Sequence, residues 1–330
     1  MPTQLNATFR QYGGIVIALV LLCTFFAFAS GRFLSLANVM NILQQVAVVA
    51  ILAFGMTWVI LLGDIDLSVG SMLAVAGMVG AQVFIWLPKG LEWLGFSGAL
   101  SPPLLTLLAL LITLMAGALM GAVNGLLSAR LLLPSFIVTV ATMGIYRGLV
   151  SLPTNGAPAM ISDPGWLAIG AGRWLGVPLI VWILLALFVI NHILLSATVF
   201  GRQTYLTGGN REAALYSGIR VARVKVVIFM ISGVMAAIAG ILLSSRLYSA
   251  QTNAGLSYEL DAIAAAVLGG TSLAGGVGTM IGTLIGALII GVLNNGMNML
   301  SVPYFYQLIV KGLVILLAVW LDVRAKQKKD

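Results

Sequence analysis

The segment Val46-Ala47-Val48-Val49-Ala50-Ile51-Leu52-Ala53-Phe54-Gly55-Met56-Thr57-Trp58-Val59-Ile60-Leu61-Leu62-Gly63-Asp64-Ile65-Asp66-Leu67-Ser68-Val69-Gly70-Ser71 decides the fold. Its first seventeen residues carry no charge. Two carboxylates and a serine follow, and a second apolar run then continues to Leu87. A helix needs about 20 apolar residues to cross about 30 Å of hydrocarbon, whereas a membrane barrel strand alternates polar and apolar over about 10 residues. These runs do not alternate, so the building block is an apolar spanning helix.

Working outward, the remaining runs are Gly13–Ser30, Pro103–Ala129, Ser135–Leu152, Val177–Leu195, Val226–Ser244, the short Leu260–Leu268, Thr279–Leu300 and Tyr304–Leu321. The first quoted run is preceded by an amphipathic stretch, Ala37–Gln45. The expected fold class is therefore all-α, a polytopic membrane protein of about ten transmembrane helices forming one transmembrane domain over residues 1–330. Composition agrees. The 330 residues are 61% hydrophobic and 8% charged, against about 45–50% and about 25% in soluble chains. Arg10, the run from Gly13 to Phe28 and the small-residue site Ala27-Phe28-Ala29 resemble a secretory signal. The run outlasts the usual 7–15-residue signal core, which favours a retained first helix.

The net charge of +8 reflects topology and not nucleic-acid binding. With the N-terminus inside, the inner segments hold Arg10, Arg130, Arg202, Arg211, Arg220, Arg223, Lys225, Arg324, Lys326, Lys328 and Lys329, and the outer ones hold Arg32, Lys89, Arg173 and Arg246. An excess of cations marks the cytoplasmic side, so both termini are expected there. Arg147 and Lys311 fall inside runs, where a charge must snorkel, pair, or line an aqueous path. Gly117, Gly121 and Gly125, then Gly278, Gly282 and Gly286, and the looser Gly233, Ala237 and Gly240, have the spacing that lets helices approach closely in lipid. Cys23 is the only cysteine and suits packing; His192 is the only histidine and suits an interfacial position. No metal site and no catalytic constellation is expected.

Three segments carry chemistry. The inner segment Ser196–Lys225 contains Asn210 as a helix cap, Glu212 in the first turn and Gly218 as a stop. It reads either as a docking element or as an interfacial helix. In Gly63–Ser71, Asp64, Asp66 and Ser68 can cap the next helix or lie beside a substrate path. In Tyr258–Ser272 a short acidic-headed helix ends at Gly269-Gly270, as a broken membrane element would. Asn294, Asn295, Asn298 and Gln307 suit a wet interior. No G-x-x-x-x-G-K-[ST] motif is present, so any ATP would sit on another chain.

The motifs Asn41-Ile42-Leu43-Gln44-Gln45, Ile65-Asp66-Leu67-Ser68-Val69-Gly70-Ser71, Pro134-Ser135-Phe136-Ile137, Gly208-Gly209-Asn210 with Glu212-Ala213-Ala214, and Glu259-Leu260-Asp261 through Gly269-Gly270-Thr271-Ser272-Leu273-Ala274-Gly275-Gly276 to Leu293-Asn294-Asn295-Gly296 resemble the permease subunits of bacterial monosaccharide ABC importers, ribose permeases above all. The likeness covers nearly the whole chain and is weakest in the first thirty residues and in Pro88–Pro103. Asp64 is a departure, because the family pattern has glycine there.

The resemblance implies an inner-membrane protein in which two permease copies form the pore. Separate ABC ATPase subunits, carrying the ATP and Mg, would dock on the cytoplasmic segment of about residues 198–224. A periplasmic sugar-binding protein would deliver the substrate. Gly201, Arg202, Gly208, Gly209, Asn210, Glu212, Ala213, Ala214 and Gly218 become the coupling residues, and Asp64, Asp66, Ser68, Asn294, Asn295 and Asn298 the candidate path. A permease of the same family for another small sugar or sugar-like signal is the nearest alternative; an ion-coupled secondary transporter using Asp64, Asp66, Glu259 and Asp261 is the alternative from another class, and a passive channel is a third class.

Overall fold

The structure is a computed structural model that describes residues 2–95 and 100–327, without the side chains of 2–11, 321–323 and 325–327. Among the cations counted for orientation, the side chains of Arg10, Lys326, Lys328 and Lys329 lie outside the described residues. Thirteen helices follow one another: α1 (Pro2–Ala29), α2 (Leu36–Leu61), α3 (Val69–Trp93), α4 (Pro102–Arg130), α5 (Ser135–Ser151), α6 (Pro164–Ala171), α7 (Leu179–Ala197), α8 (Val199–Gly209), α9 (Arg211–Tyr216), α10 (Val221–Arg246), α11 (Tyr258–Leu268), α12 (Met280–Met299) and α13 (Tyr304–Gln327). Eight are long and apolar enough to cross a membrane, and α13 contributes the shorter apolar stretch Tyr304–Trp320.

Each expected run has its helix. The Ala37–Gln45 stretch is the first part of α2 and not a separate element, because Ser35 accepts from Asn38 N and the chain continues without a break. At 11 residues, α11 spans only about 16 Å, so it cannot cross alone. The polar stretch after α5 contains α6, capped by Asp163 with Pro164 at its first position. It also contains a two-residue ribbon in which Ala159 and Met160 pair with Ala250 and Ser249.

The helices form two compact units. The first takes the chain up to Gly63, Ala186–Ile219 and everything from Leu260 onward. In it α12 packs on α2 and α1. Gly291 leaves room for Val46, and Gly296 for the Phe26 ring. Thr57 and Thr283 hydroxyls meet at 2.7 Å, and Trp58 Nε1 donates to Asn191 Oδ1 at 2.9 Å.

The second unit is Asp64–Leu185 with Arg220–Glu259. Its centre is α10 lying antiparallel on α4: Gly117 faces Gly233, Gly121 faces the Phe229 carbonyl and Gly125 faces Val226. The small-residue spacing is thus spent on contact within the chain. The opposite side of α4 shows why the environment is lipid. Leu107, Leu111, Met115, Leu119 and Val123 recur every fourth residue and are all exposed. In water such a stripe would be a liability; in hydrocarbon it costs nothing. Trp166 of α6 is fully buried, with its indole N–H 3.3 Å from Ser244 Oγ and Phe84 set edge-on at 5.7 Å.

Candidate functional site

In the first unit the segment after α7 folds as two short helices, where the sequence suggested only one. Thr198 caps α8 by accepting from Gly201 N at 3.1 Å. Gly201 itself is required because a Cβ there would strike the Leu195 carbonyl at the turn out of α7. At the other end of α8, Gly208 lies on the Leu61 carbonyl at the end of α2. That carbonyl accepts from Gly276 N at 2.9 Å. Gly275 and Gly276 have φ of +85° and +71°, a conformation that favours glycine. Tyr205 donates to the Gly278 carbonyl at 2.7 Å. Burial, and secondarily Tyr12, pushes the Tyr205 phenol above its ordinary value, which keeps it a donor. α8 is therefore fastened both to the end of α2 and to the glycine loop between α11 and α12.

Asn210 then caps α9, accepting from Ala213 N at 2.9 Å, with Glu212 in the first turn. Gly218, at φ +78°, reverses the chain, and Ile219 N closes on the Ala214 carbonyl at 3.0 Å. Ala214 is buried, whereas Arg202, Gly209, Asn210, Glu212, Ala213 and Gly218 are exposed. Leu215 and Tyr216 are exposed too, Tyr216 at 91%. In the sequence their only mark is that they form an apolar pair at the end of a capped polar helix. The result is a capped, exposed turn of helix bearing one acid and one aromatic ring.

The path candidates divide between the units. In the second unit, Asp66 is fully buried. Its Oδ1 accepts from Ser68 N at 3.0 Å and Ser68 Oγ at 2.6 Å, and its Oδ2 accepts from Ser232 Oγ at 3.0 Å. Asn124 Nδ2 donates to Ser68 Oγ at 2.8 Å. Ser68 sits at the N-cap of α3 without a side-chain cap bond, since Asp66 takes its hydroxyl. Asp64 pairs with Lys225 at 3.0 Å and accepts from Ser135 Oγ at 2.7 Å. Arg147 Nη1 donates to the Thr252 and Ala254 carbonyls at 3.1 and 2.6 Å.

In the first unit the three asparagines of α12 go separate ways. Asn294 donates to Asp261 Oδ2 at 3.1 Å, which also takes Lys311 Nζ at 2.9 Å. Asn295 and Asn38 exchange amide bonds at 3.1 Å. Asn298 accepts from Gln307 at 2.9 Å. Among the described residues no group of three or more His, Cys, Asp or Glu side chains could hold a metal ion.

Eight long apolar helices and a lipid-facing stripe define a multi-pass membrane protein. The profile of the family described as "Branched-chain amino acid transport system / permease component" matches residues 38–319, and the chain belongs to that family. It is similar to the ribose import permease protein of Bacillus subtilis (strain 168), 47% identical over 94% of this chain and 92% of the relative. It is also similar to that of Escherichia coli (strain K12), 45% identical over 93% and 92%. The xylose transport system permease protein of Escherichia coli (strain K12) is 39% identical over 95% and 92%. No solved structure matches the chain. The chain is thus the membrane-spanning subunit of an ABC importer of the bacterial inner membrane.

Proposed function

We propose that this chain moves ribose inward across the inner membrane as one of two permease copies, powered by ABC ATPase subunits on separate polypeptides and supplied by a periplasmic sugar-binding protein. One observation carries the sugar: the relatives named for ribose are 44–47% identical over more than nine-tenths of both chains, against 39% for the one named for xylose. Xylose is accordingly the second substrate to test.

The residues from Gly201 to Gly218 serve as the coupling element in this reading. α9 offers Glu212, Leu215 and Tyr216 to a groove on the ATPase, and α8 passes the displacement on. Because Gly208 and Tyr205 hold α8 to the Leu61 carbonyl and the glycine loop before α12, a push on α9 bears directly on the ends of α2 and α12. ATP binding would draw the coupling helices together, rock the bundles and change which side the path opens to. Sugar needs only to interact differently with the two states for this to be productive. Asp66 and Ser68, with their polar atoms bonded to protein, act by holding helix ends and not by touching sugar. Asn298, which is exposed, stays a candidate for the path. An ion-coupled mechanism is disfavoured because Asp64 and Asp261 are each occupied by a lysine.

The test is purification through a tag on this chain, with identification of bound chains and an ATPase assay in vanadate. Stoichiometric recovery of an ABC ATPase whose activity rises with ribose-loaded binding protein supports the reading. A chain that purifies alone from gently extracted membranes contradicts it.

A further inference from the structure

The close approach of α4 and α10 sets two helix ends side by side in the second unit. Arg130 lies in the last turn of α4, Arg220 is the N-cap of α10, and Arg223 follows one turn on. Between them is a cavity of about 340 Å³, lined by these three arginines and by Leu126, Val226 and Val227. All three arginines are exposed. Among the described residues, no carboxylate forms an ion pair with any of these three guanidinium groups. Arg220 makes no side-chain cap, and the first-turn N–H groups of α10 add their positive potential to the same place.

The cavity therefore has two unlike walls. One presents guanidinium forks, which match phosphate geometry. The other is aliphatic and belongs to helices that cross the bilayer. A free anion would use only the first wall, and an acidic protein surface would gain nothing from the second. We infer that this cavity is a binding site for an anionic phospholipid, its phosphate on Arg130, Arg220 and Arg223 and an acyl chain along Leu126, Val226 and Val227. A basic pocket between spanning helices on the expected cytoplasmic side is where anionic headgroups are held. The site is independent of which sugar is carried.

The full-length permease in detergent, titrated with phosphatidylglycerol or phosphatidylcholine and read by native mass spectrometry, tests the inference. One phosphatidylglycerol should be retained in preference to phosphatidylcholine. Arg223→Gln should weaken retention about fivefold, and the triple change of Arg130, Arg220 and Arg223 to Gln about 100-fold. These positions are exposed, and a symmetrical gel-filtration peak verifies folding. Leu126→Trp, which leaves all three arginines in place, should also weaken retention by narrowing the apolar wall. Millimolar inorganic phosphate should not displace the lipid. Equal retention of both lipids, or unchanged retention in the triple variant, overturns the site. Displacement by phosphate, or normal retention by Leu126→Trp, makes it a free-anion site and overturns the lipid. Unchanged lipid retention with loss of a co-purifying ATPase would assign the face to that partner instead.

Discussion

Lys225 Nζ lies 3.0 Å from Asp64 Oδ2, and the same carboxylate accepts from Ser135, so one side chain ties the loop after α2 to the starts of α5 and α10. The charge comes with its own counter-charge, at side-chain exposures of 14% and 16%. Removing Lys225 strands the carboxylate among helix ends, whereas removing Asp64 leaves a long side chain that can reach water. Lys225→Met should lower the thermal midpoint in detergent more than Asp64→Gly. The double change should recover part of the loss, giving a coupling of about 0.5–3 kcal/mol. Strict additivity of the two single changes would mean the pair contributes nothing.

The antiparallel seam of α4 and α10 makes a sharper demand. A Cβ on Gly121 would fall on the Phe229 carbonyl, and one on Gly125 would come within 2.8 Å of Val226 Cα. Both obstacles are backbone, so the helices must separate. Gly121→Val should abolish recovery of monodisperse protein. Gly144→Ala in α5, with nothing within 4 Å, should be neutral or stabilising by up to about 1 kcal/mol. Similar yields from both variants would refute the seam.

The buried pair of Lys311 and Asp261, supported by Asn294, fastens the short α11 to α12 and α13. Breaking one side of such a pair costs about 3–5 kcal/mol, while replacing both partners is far milder. Lys311→Met should therefore unfold at markedly lower temperature than the double variant with Asp261→Asn. The reverse order would show that the lysine serves something other than this carboxylate.

On the exposed coupling helix, Glu212→Arg should leave membrane insertion and thermal stability intact while abolishing sugar-stimulated ATPase. Asn210→Ala, which removes the α9 cap at about 1 kcal/mol, should weaken stimulation without eliminating it. Gly208→Val should act differently, lowering stability as well, because its Cβ meets the Leu61 carbonyl. Undiminished stimulation in Glu212→Arg would remove α9 from the coupling path.

Hydropathy made the crossing helices legible, because continuous apolar runs have few alternative folds. The caps at Asn210 and Gly218 were legible as local chemistry. α8 was not: Gly201, Gly208 and Gly209 weaken its helical signal, and it is the contacts with Leu195, Leu61 and Gly276 that require Gly201 and Gly208. α6 had a readable start in Asp163-Pro164, although only eight residues follow. The roles of Asp64, Asp66 and Asp261 were beyond local reading, since Lys225, Ser232 and Lys311 lie 50 to 166 residues away. The two carbonyls that Arg147 donates to were also beyond reading, because no side-chain pattern reveals them.

The most direct measurement is uptake of labelled ribose into proteoliposomes holding this chain and its ATPase, with the binding protein on one side and ATP on the other. Ribose should accumulate against its gradient only with ATP, stop with vanadate, and continue when ionophores collapse every ion gradient. Uptake that ignores ATP and vanishes with the ion gradient would contradict the ABC importer account.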